Sequence, residues 1–217
     1  GYICWIWLTV LMRSVFDFIV KPVEGRYDNE IKVGDKKLML NSSIEDFKFI
    51  SRKAEVVSVP IAFNSSINVG DIIIIHHNVF RRYYNQKGKA VDSSKLFKEN
   101  LYFCQPDQVY LYKRDNEWRP IGTRCFVMPI KNNNPFSMDK ERKHIGVLKI
   151  GNKSLEALGI SEGDLIGFRP NREFEFIVDD QRLYCMESND ILLKYEYKGN
   201  EEEYNPSWAK SSWGVNS

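Results

Sequence analysis

The sequence has little of what most metal or catalytic sites need. Its 217 residues include only four cysteines and three histidines. Cys4, Cys104, Cys125 and Cys185 are far apart, so no CxxC pair exists, which argues against a zinc knuckle. P-loop, GxGxxG and Ser/His/Asp patterns are also missing. We therefore expect no metal, no cofactor and no enzymatic activity, and we interpret the cysteines as core residues of a reduced, intracellular protein.

A large charge excess and a long hydrophobic run are missing as well. The chain has 31 basic and 29 acidic residues, a net charge of +2, which argues against a global field for nucleic acid or anionic membrane. The apolar run 1–11 (GYICWIWLTVL) is too short to span a bilayer and lacks the basic flank and cleavage site of a signal peptide. We favour an extension upstream of a start at Met12; a membrane anchor or signal remnant and an ordinary buried strand are the alternatives. We expect no stable membrane association.

The amino-acid composition favours short β-strands. Aromatics make up 13% of the chain, and Val and Ile are frequent. Apolar runs alternate with turn signals such as Asn68-Val69-Gly70-Asp71. Predicted strands in the first half are 14–20, 54–60, 72–75 and 101–112, and the same order recurs at 122–130, 145–150, 161–168 and 182–195. The sequence therefore predicts two copies of one unit in an all-β fold of small barrels, with one short helix near 154–158.

These ordered elements resemble the GroES family of co-chaperonins. The runs 162–168 (EGDLIGF) and 183–192 (LYCMESNDIL) look like the C-terminal half of that family. In the first copy, 69–75 (VGDIIII) and 55–59 (EVVSV) look like the matching strands. The similarity covers most of residues 16–198. Tandem units also occur in chloroplast members, and the composition is more similar to phage members.

The resemblance implies a domain organisation and a function. The fold would be two tandem small GroES-like β-barrels, with a long mobile loop in the first unit. The expected parts are an apolar extension (1–11), a first barrel (12–115) with its loop (23–53), a second barrel (116–198) and a polar tail (199–217). Such a protein forms a homo-oligomeric ring and caps a GroEL-type chaperonin, which itself uses the ATP, in the cytoplasm (the host cytoplasm for a phage protein).

The loop carries the candidate chaperonin contact. Leu38, Met39 and Leu40 resemble the apolar tripeptide that anchors the family's mobile loop. The alternative is that 30–40 is a β-hairpin that turns at Gly34-Asp35, and the two interpretations can coexist. In the second unit the corresponding segment 131–144 is shorter, with Phe136 and Met138 as a second candidate contact. We favour a plain connector there, because loops of this length usually only connect.

Other features have less specific interpretations. His76 and His77 are adjacent on a predicted strand, so they point to opposite faces and rarely chelate one ion. Asp179-Asp180 reads as a hairpin turn, and the tail 199–217 as disordered unless Trp208 or Trp213 packs on a surface. Two further functions stay open: a phage virion structural or assembly protein, and an OB-like nucleic-acid binder that uses 81–84 (RRYY) with Tyr102 and Phe103.

Overall fold

The fold is all-β, as the sequence predicts. A computed structural model describes residues 13–23, 30–33, 36–39, 51–80, 83–196, 199 and 201–209. Within this part, strands hold far more residues than helices. No described helix is long and apolar enough to cross a bilayer.

Seventeen strands and one short α-helix make up the described elements. The strands are β1 (Phe18–Pro22), β2 (Glu30–Val33), β3 (Lys36–Met39), β4 (Ser51–Ser58), β5 (Ile72–His76), β6 (Tyr83–Tyr84), β7 (Ala90–Val91), β8 (Leu96–Lys98), β9 (Leu101–Cys104), β10 (Val109–Arg114), β11 (Glu117–Pro120), β12 (Arg124–Lys131), β13 (Glu141–Ile150), β14 (Leu165–Phe168), β15 (Phe174–Val178), β16 (Gln181–Glu187) and β17 (Ile191–Lys194). The helix, α1, is Lys153–Ala157. Turns of 3-10 helix lie at His77–Val79, Pro106–Gln108, Ser188–Asp190 and Ser207–Ala209.

The described chain divides into two compact units, the first ending at Glu117 and the second beginning at Trp118. A seven-stranded antiparallel sheet with the order β11-β10-β5-β4-β1-β9-β8 contains the main strands of the first unit. A six-stranded sheet with the order β15-β16-β12-β13-β14-β17 forms the second unit. Within the described residues, the first and last strands of each sheet do not pair with each other, so both sheets are open.

The two sheets have the same strand order. Read from β10, the first sheet runs β10-β5-β4-β1-β9-β8, and the second runs β17-β14-β13-β12-β16-β15. Each strand of one series corresponds to a strand of the other in chain order, with β11 as an addition at the edge of the first sheet. The internal repeat that the sequence predicts is thus present in the strand pairing.

The repeat extends to individual residue pairs. Pro22 pairs with Ala54 in the first sheet, and Pro129 pairs with Gly146 in the second. Both strand pairs carry an irregularity two or three residues before the proline. A Cβ added at Gly146 would lie 2.4 Å from the carbonyl oxygen of Met128, so this position requires glycine where the first unit has alanine.

Matching Gly-Asp turns lead into β5 and β14. Asp71 and Asp164 each accept a hydrogen bond from the amide three residues earlier, at 2.7 and 2.9 Å. The glycine before each aspartate has a φ of +90° or +94°, which favours glycine. Each carboxylate also pairs with a cation at the end of the neighbouring strand, Arg114 of β10 at 2.5 Å and Lys194 of β17 at 2.9 Å. These contacts fix the start of both strands.

One core cluster of the second unit lies between its sheet and α1. Asn152 caps the helix by accepting a hydrogen bond from the Leu155 amide at 3.1 Å, and Leu155 is fully buried. The buried cluster consists of Cys125, Val127, Leu148, Leu155, Ile166, Phe168 and Met186. The short helix expected near 154–158 is therefore confirmed.

The described cysteines are buried core residues, as predicted. Cys104, Cys125 and Cys185 are free thiols with little or no exposure. Burial raises the pKa of all three, that of Cys125 to about 12. Deprotonation, and with it nucleophilic reactivity, is therefore suppressed. Cys4 lies outside the described residues.

Several strand boundaries differ from the sequence prediction. The first strand begins at Phe18 instead of residue 14, because the carbonyls of Ser14 and Val15 accept hydrogen bonds from the Ile61 amide. β4 begins at Ser51 and β13 at Glu141, so both include charged residues that were assigned to loops. Cross-strand hydrogen bonds outweigh side-chain polarity at these positions.

Candidate functional site

The proposed anchor of the first unit lies in a β-hairpin. β2 and β3 pair antiparallel, with Glu30 opposite Met39 and Val33 opposite Lys36. This pairing confirms the hairpin alternative, and the expected turn residues, Gly34 and Asp35, lie outside the described part. Leu38 and Met39 belong to β3, and Leu40 lies outside the described residues. For this hairpin the structure describes the backbone alone.

The second unit carries a loop at the same position in the strand order. The hairpin of the first unit lies between β1 and β4, and residues 132–140 lie between the corresponding strands β12 and β13. Phe136 is 95% exposed and Met138 98% exposed. Both side chains project from a loop that is otherwise polar. We call residues 132–140 the docking loop, because these two apolar side chains are its most exposed feature.

The docking loop is ordered by its own asparagines. The amide of Asn134 donates to Oδ1 of Asn132 at 3.1 Å, and the amide of Phe136 donates to Oδ1 of Asn134 at 3.0 Å. The amide of Asp139 donates to Oγ of Ser137 at 3.1 Å. Asparagine and serine side chains form such turns readily. Phe136 therefore sits on a backbone that is already shaped by local hydrogen bonds.

The two ends of the docking loop are joined and anchored. Lys131 and Glu141 are cross-strand partners, and the Asn132 amide donates to the Lys140 carbonyl at 3.0 Å. Glu141 accepts a hydrogen bond from Arg182 at 2.6 Å. The loop thus leaves the sheet from a stem, formed by Lys131 and Glu141, that is hydrogen-bonded to β16.

Arg182 organises a polar network beside this stem. Its guanidinium also donates to Glu175 at 2.8 Å and to the hydroxyl of Tyr184, which in turn donates to Glu141. The Arg182 side chain is 8% exposed, and those of Glu141 and Glu175 are 24% and 21% exposed. Two carboxylates therefore share one largely buried cation.

Arg182 and Tyr184 of this network both have raised pKa values. Burial alone would lower the pKa of Arg182, but its hydrogen bonds to Glu141 and Glu175 outweigh burial and raise the pKa above the ordinary arginine value. Burial, together with the hydrogen bond to Glu141, raises the pKa of Tyr184. Neither group titrates near neutral pH, so the arrangement suits a permanent structural clamp better than proton transfer.

A cleft of about 440 Å³ lies at the base of the docking loop. Its walls include Asn132 and Asp139 of the loop, His144 of β13, and Leu193 of β17. Nδ1 of His144 is buried and has no hydrogen-bond partner among the described residues. The lining mixes cations, carboxylates and apolar side chains.

The C-terminal tail is partly ordered, which corrects one prediction. We expected 199–217 to be disordered, but residues 201–209 bond to the second unit. Ala209 is only 4% exposed. The side chain of Trp208 and all of Trp213 lie outside the described residues. The acidic run 201–203 (EEE) is visible in the sequence, and in the structure it lies opposite two lysines. The positions of these residues along the chain give no sign of that contact.

Of the residues proposed for nucleic-acid binding, Tyr102 and Phe103 have described side chains. Tyr102 is fully buried, so its ring cannot stack on a base. Arg81 and Arg82 lie outside the described residues. His76 accepts a hydrogen bond from the Asn78 amide at 3.2 Å, and burial lowers the pKa of its imidazole. The turn expected at 179–180 is confirmed, with φ values of +46° and +62°.

No protein-family model matches this chain, and no curated protein matches it.

Proposed function

We propose that this chain is a co-chaperonin of the GroES type, which caps a chaperonin ring through apolar side chains on segments that project from its two sheets. The main support is the exposure of Phe136 and Met138, 95% and 98%, on a hydrogen-bonded loop at the position where the first unit carries its β2–β3 hairpin. The resemblance of the ordered strands to GroES supplies the partner. In this proposal the two sheets are two tandem GroES-like barrels.

The chemistry of the exposed pair fits an apolar groove on a partner. Burying a phenylalanine and a methionine contributes roughly 1.5–3 kcal/mol each. Phenylalanine supplies a stiff ring, whereas methionine adapts to irregular gaps. Because the backbone around Phe136 is already fixed by hydrogen bonds, less ordering entropy opposes binding than for a flexible loop.

One such contact binds weakly, and a ring multiplies it. If several chains present Phe136 and Met138 together, each added contact is intramolecular and the overall affinity rises by orders of magnitude. The segment with Leu38, Met39 and Leu40 would add a second contact per chain. Weak single contacts also allow the partner's ATP cycle to release the whole ring. The chain itself needs no cofactor for this role.

The test is binding to a purified bacterial GroEL-type chaperonin with ATP, followed by gel filtration and native mass spectrometry. We expect a stable complex with the unmodified chain. Phe136→Ser combined with Met138→Ser should weaken it at least tenfold and leave the circular-dichroism spectrum unchanged. Leu38→Ser, Met39→Ser and Leu40→Ser together should have an equal or larger effect.

Matched controls remove exposed apolar side chains elsewhere. Leu158 is 74% exposed and Val69 is 62% exposed, each outside the proposed contacts. Leu158→Ser and Val69→Ser should bind like the unmodified chain. If no complex forms in any nucleotide state, the co-chaperonin proposal is wrong. Copurification with virus particles would instead favour a virion role.

A further inference from the structure

The C-terminal tail occupies an edge of β12 that no other strand of the described chain covers. β16 pairs with β12 only from Arg124 to Val127. Beyond that point Glu203 forms an antiparallel bridge with Ile130. The Lys131 amide donates to the Glu202 carbonyl at 2.7 Å, and the Tyr204 amide donates to the Pro129 carbonyl at 2.8 Å. The tail therefore continues the sheet where β16 stops.

Side chains reinforce this pairing by charge. The ammonium group of Lys131 contacts the carboxylate of Glu202. That of Lys149, on β13, lies 2.7 Å from the carboxylate of Glu203. These pairs are partly exposed, so each is weak by itself and sensitive to salt. Two of them beside the two backbone hydrogen bonds of the bridge give the tail a preferred register.

The tail is also fastened to β16. Oδ1 of Asn205 accepts a hydrogen bond from the Arg182 amide at 3.1 Å, and its Nδ2 donates to the Asp180 carbonyl at 2.9 Å. Arg182 is the residue whose side chain holds Glu141. Lys131 and Glu141 flank the docking loop. The tail therefore contacts one flank directly and the other through Arg182.

We propose that residues 201–205 act as a strap that positions the docking loop, and that the edge of β12 from Pro129 to Lys131 is a binding site for an extended acidic segment, filled here by the chain's own tail. This inference rests on the proposed function only where it assigns partner binding to the loop. The ordering of the loop by the strap is a separate claim. With the strap in place, Phe136 and Met138 leave the sheet from a stem fixed on both sides.

The first test removes residues 200–217 and follows amide hydrogen exchange by NMR. We expect the amides of Asn134, Phe136 and Asp139 to exchange at least tenfold faster, while those of β4 and β5 in the first unit keep their rates. A synthetic peptide of residues 199–209 should bind the shortened chain and restore slow exchange. The same peptide with glutamine at 202 and 203 should bind at least fivefold more weakly. Unchanged loop exchange would overturn the strap.

A second variant covers the case in which the shortened chain does not fold. Lys131→Gln with Lys149→Gln keeps the whole chain and removes both charge partners of the tail. It should raise exchange at the loop amides, whereas Arg172→Gln with Lys153→Gln, two exposed cations of the same unit outside the loop, should not. Equal exchange in the two double variants would contradict the charge-based register.

Chaperonin binding separates the two claims. A shortened chain that binds about tenfold more weakly, with recovery on adding the peptide, supports the strap as a positioning element. Faster loop exchange with unchanged chaperonin affinity overturns the positioning role and leaves the proposed function intact. Faster exchange in the shortened chain, with no chaperonin binding even by the full chain, overturns the proposed function and supports the ordering of the loop by the strap.

Discussion

At the scale of single residues, the least expected feature is the buried guanidinium of Arg182. Charged side chains on a β-strand normally face water, and nothing in the sequence separates Arg182 from the exposed Arg172. Its role follows from the fold, which brings Glu141 and Glu175 to it from two other strands. Replacing one member of such a set leaves the others with uncompensated charge.

Arg182→Met should therefore destabilise the second unit by about 3 kcal/mol, because two carboxylates lose their shared partner. Chemical denaturation followed by circular dichroism measures this loss. Arg172→Met removes an exposed arginine from the neighbouring turn and should change stability by less than about 0.5 kcal/mol. Equal effects of the two substitutions would show that the network contributes no more than a surface charge.

At the scale of elements, the Gly-Asp turn before β14 links three parts of the second sheet. The carboxylate of Asp164 binds the Ser161 amide and pairs with Lys194 of β17. Its hydrogen bond to the Ser161 backbone, followed by the contact with Lys194, lowers the pKa of Asp164 below the ordinary aspartate value. A carboxyl group with a lowered pKa in the folded state stabilises the protein above its unfolded pKa, and this stabilisation is lost as the pH falls through the folded pKa.

Asp164→Asn should thus lower the stability of the second unit at pH 7 by about 1 kcal/mol, the usual contribution of one such hydrogen bond. The difference from the unmodified chain should shrink as the pH falls below about 4. Thermal melts between pH 3 and pH 7 measure it. Asp139→Asn, which removes an exposed carboxylate of the docking loop, is the control and should have a smaller effect at pH 7. A constant difference across this range would contradict the assignment.

The elements also show what the sequence can predict. Turn chemistry predicted the Gly-Asp turns and the hairpin turn at 179–180, and the short segment 154–158 predicted α1. These elements could be predicted because they depend on neighbouring residues alone. Strand starts at Ser51 and Glu141 were missed, since their charged residues pair across the sheet. The ordered tail was missed for the same reason: Glu202 and Glu203 find Lys131 and Lys149 only after folding.

The candidate site divides in the same way. Phe136 and Met138 were named as a second candidate contact because apolar side chains stand out in a polar loop, although the length of the loop favoured a plain connector there. Their near-complete exposure, and the hydrogen bonds that shape the loop, depend on the conformation and were not predictable from spacing. The hairpin around Leu38 was the alternative interpretation, based on alternation and turn chemistry, and the pairing of Ile31 with Leu38 confirms it.

At the scale of the whole molecule, the second unit should fold on its own. All six of its strands lie between Arg124 and Lys194, and the ordered tail packs on the same unit. A fragment of residues 121–209 should give a β-type circular-dichroism spectrum and a cooperative thermal transition. A shorter fragment ending at residue 199 should melt at a lower temperature. A disordered 121–209 fragment would show that the unit depends on the rest of the chain.

Two copies of one strand order in one chain create a risk of misfolding during synthesis. A strand of the first copy can pair with the incomplete sheet of the second. The close approach of the Met128 carbonyl to Gly146 disfavours one such error. β4 carries Ala54 at the corresponding place, and if β4 took the place of β13 its methyl group would collide with the carbonyl of Met128. A single missing methyl group therefore discriminates between the copies, and divergence at paired positions keeps a duplicated fold from exchanging its parts.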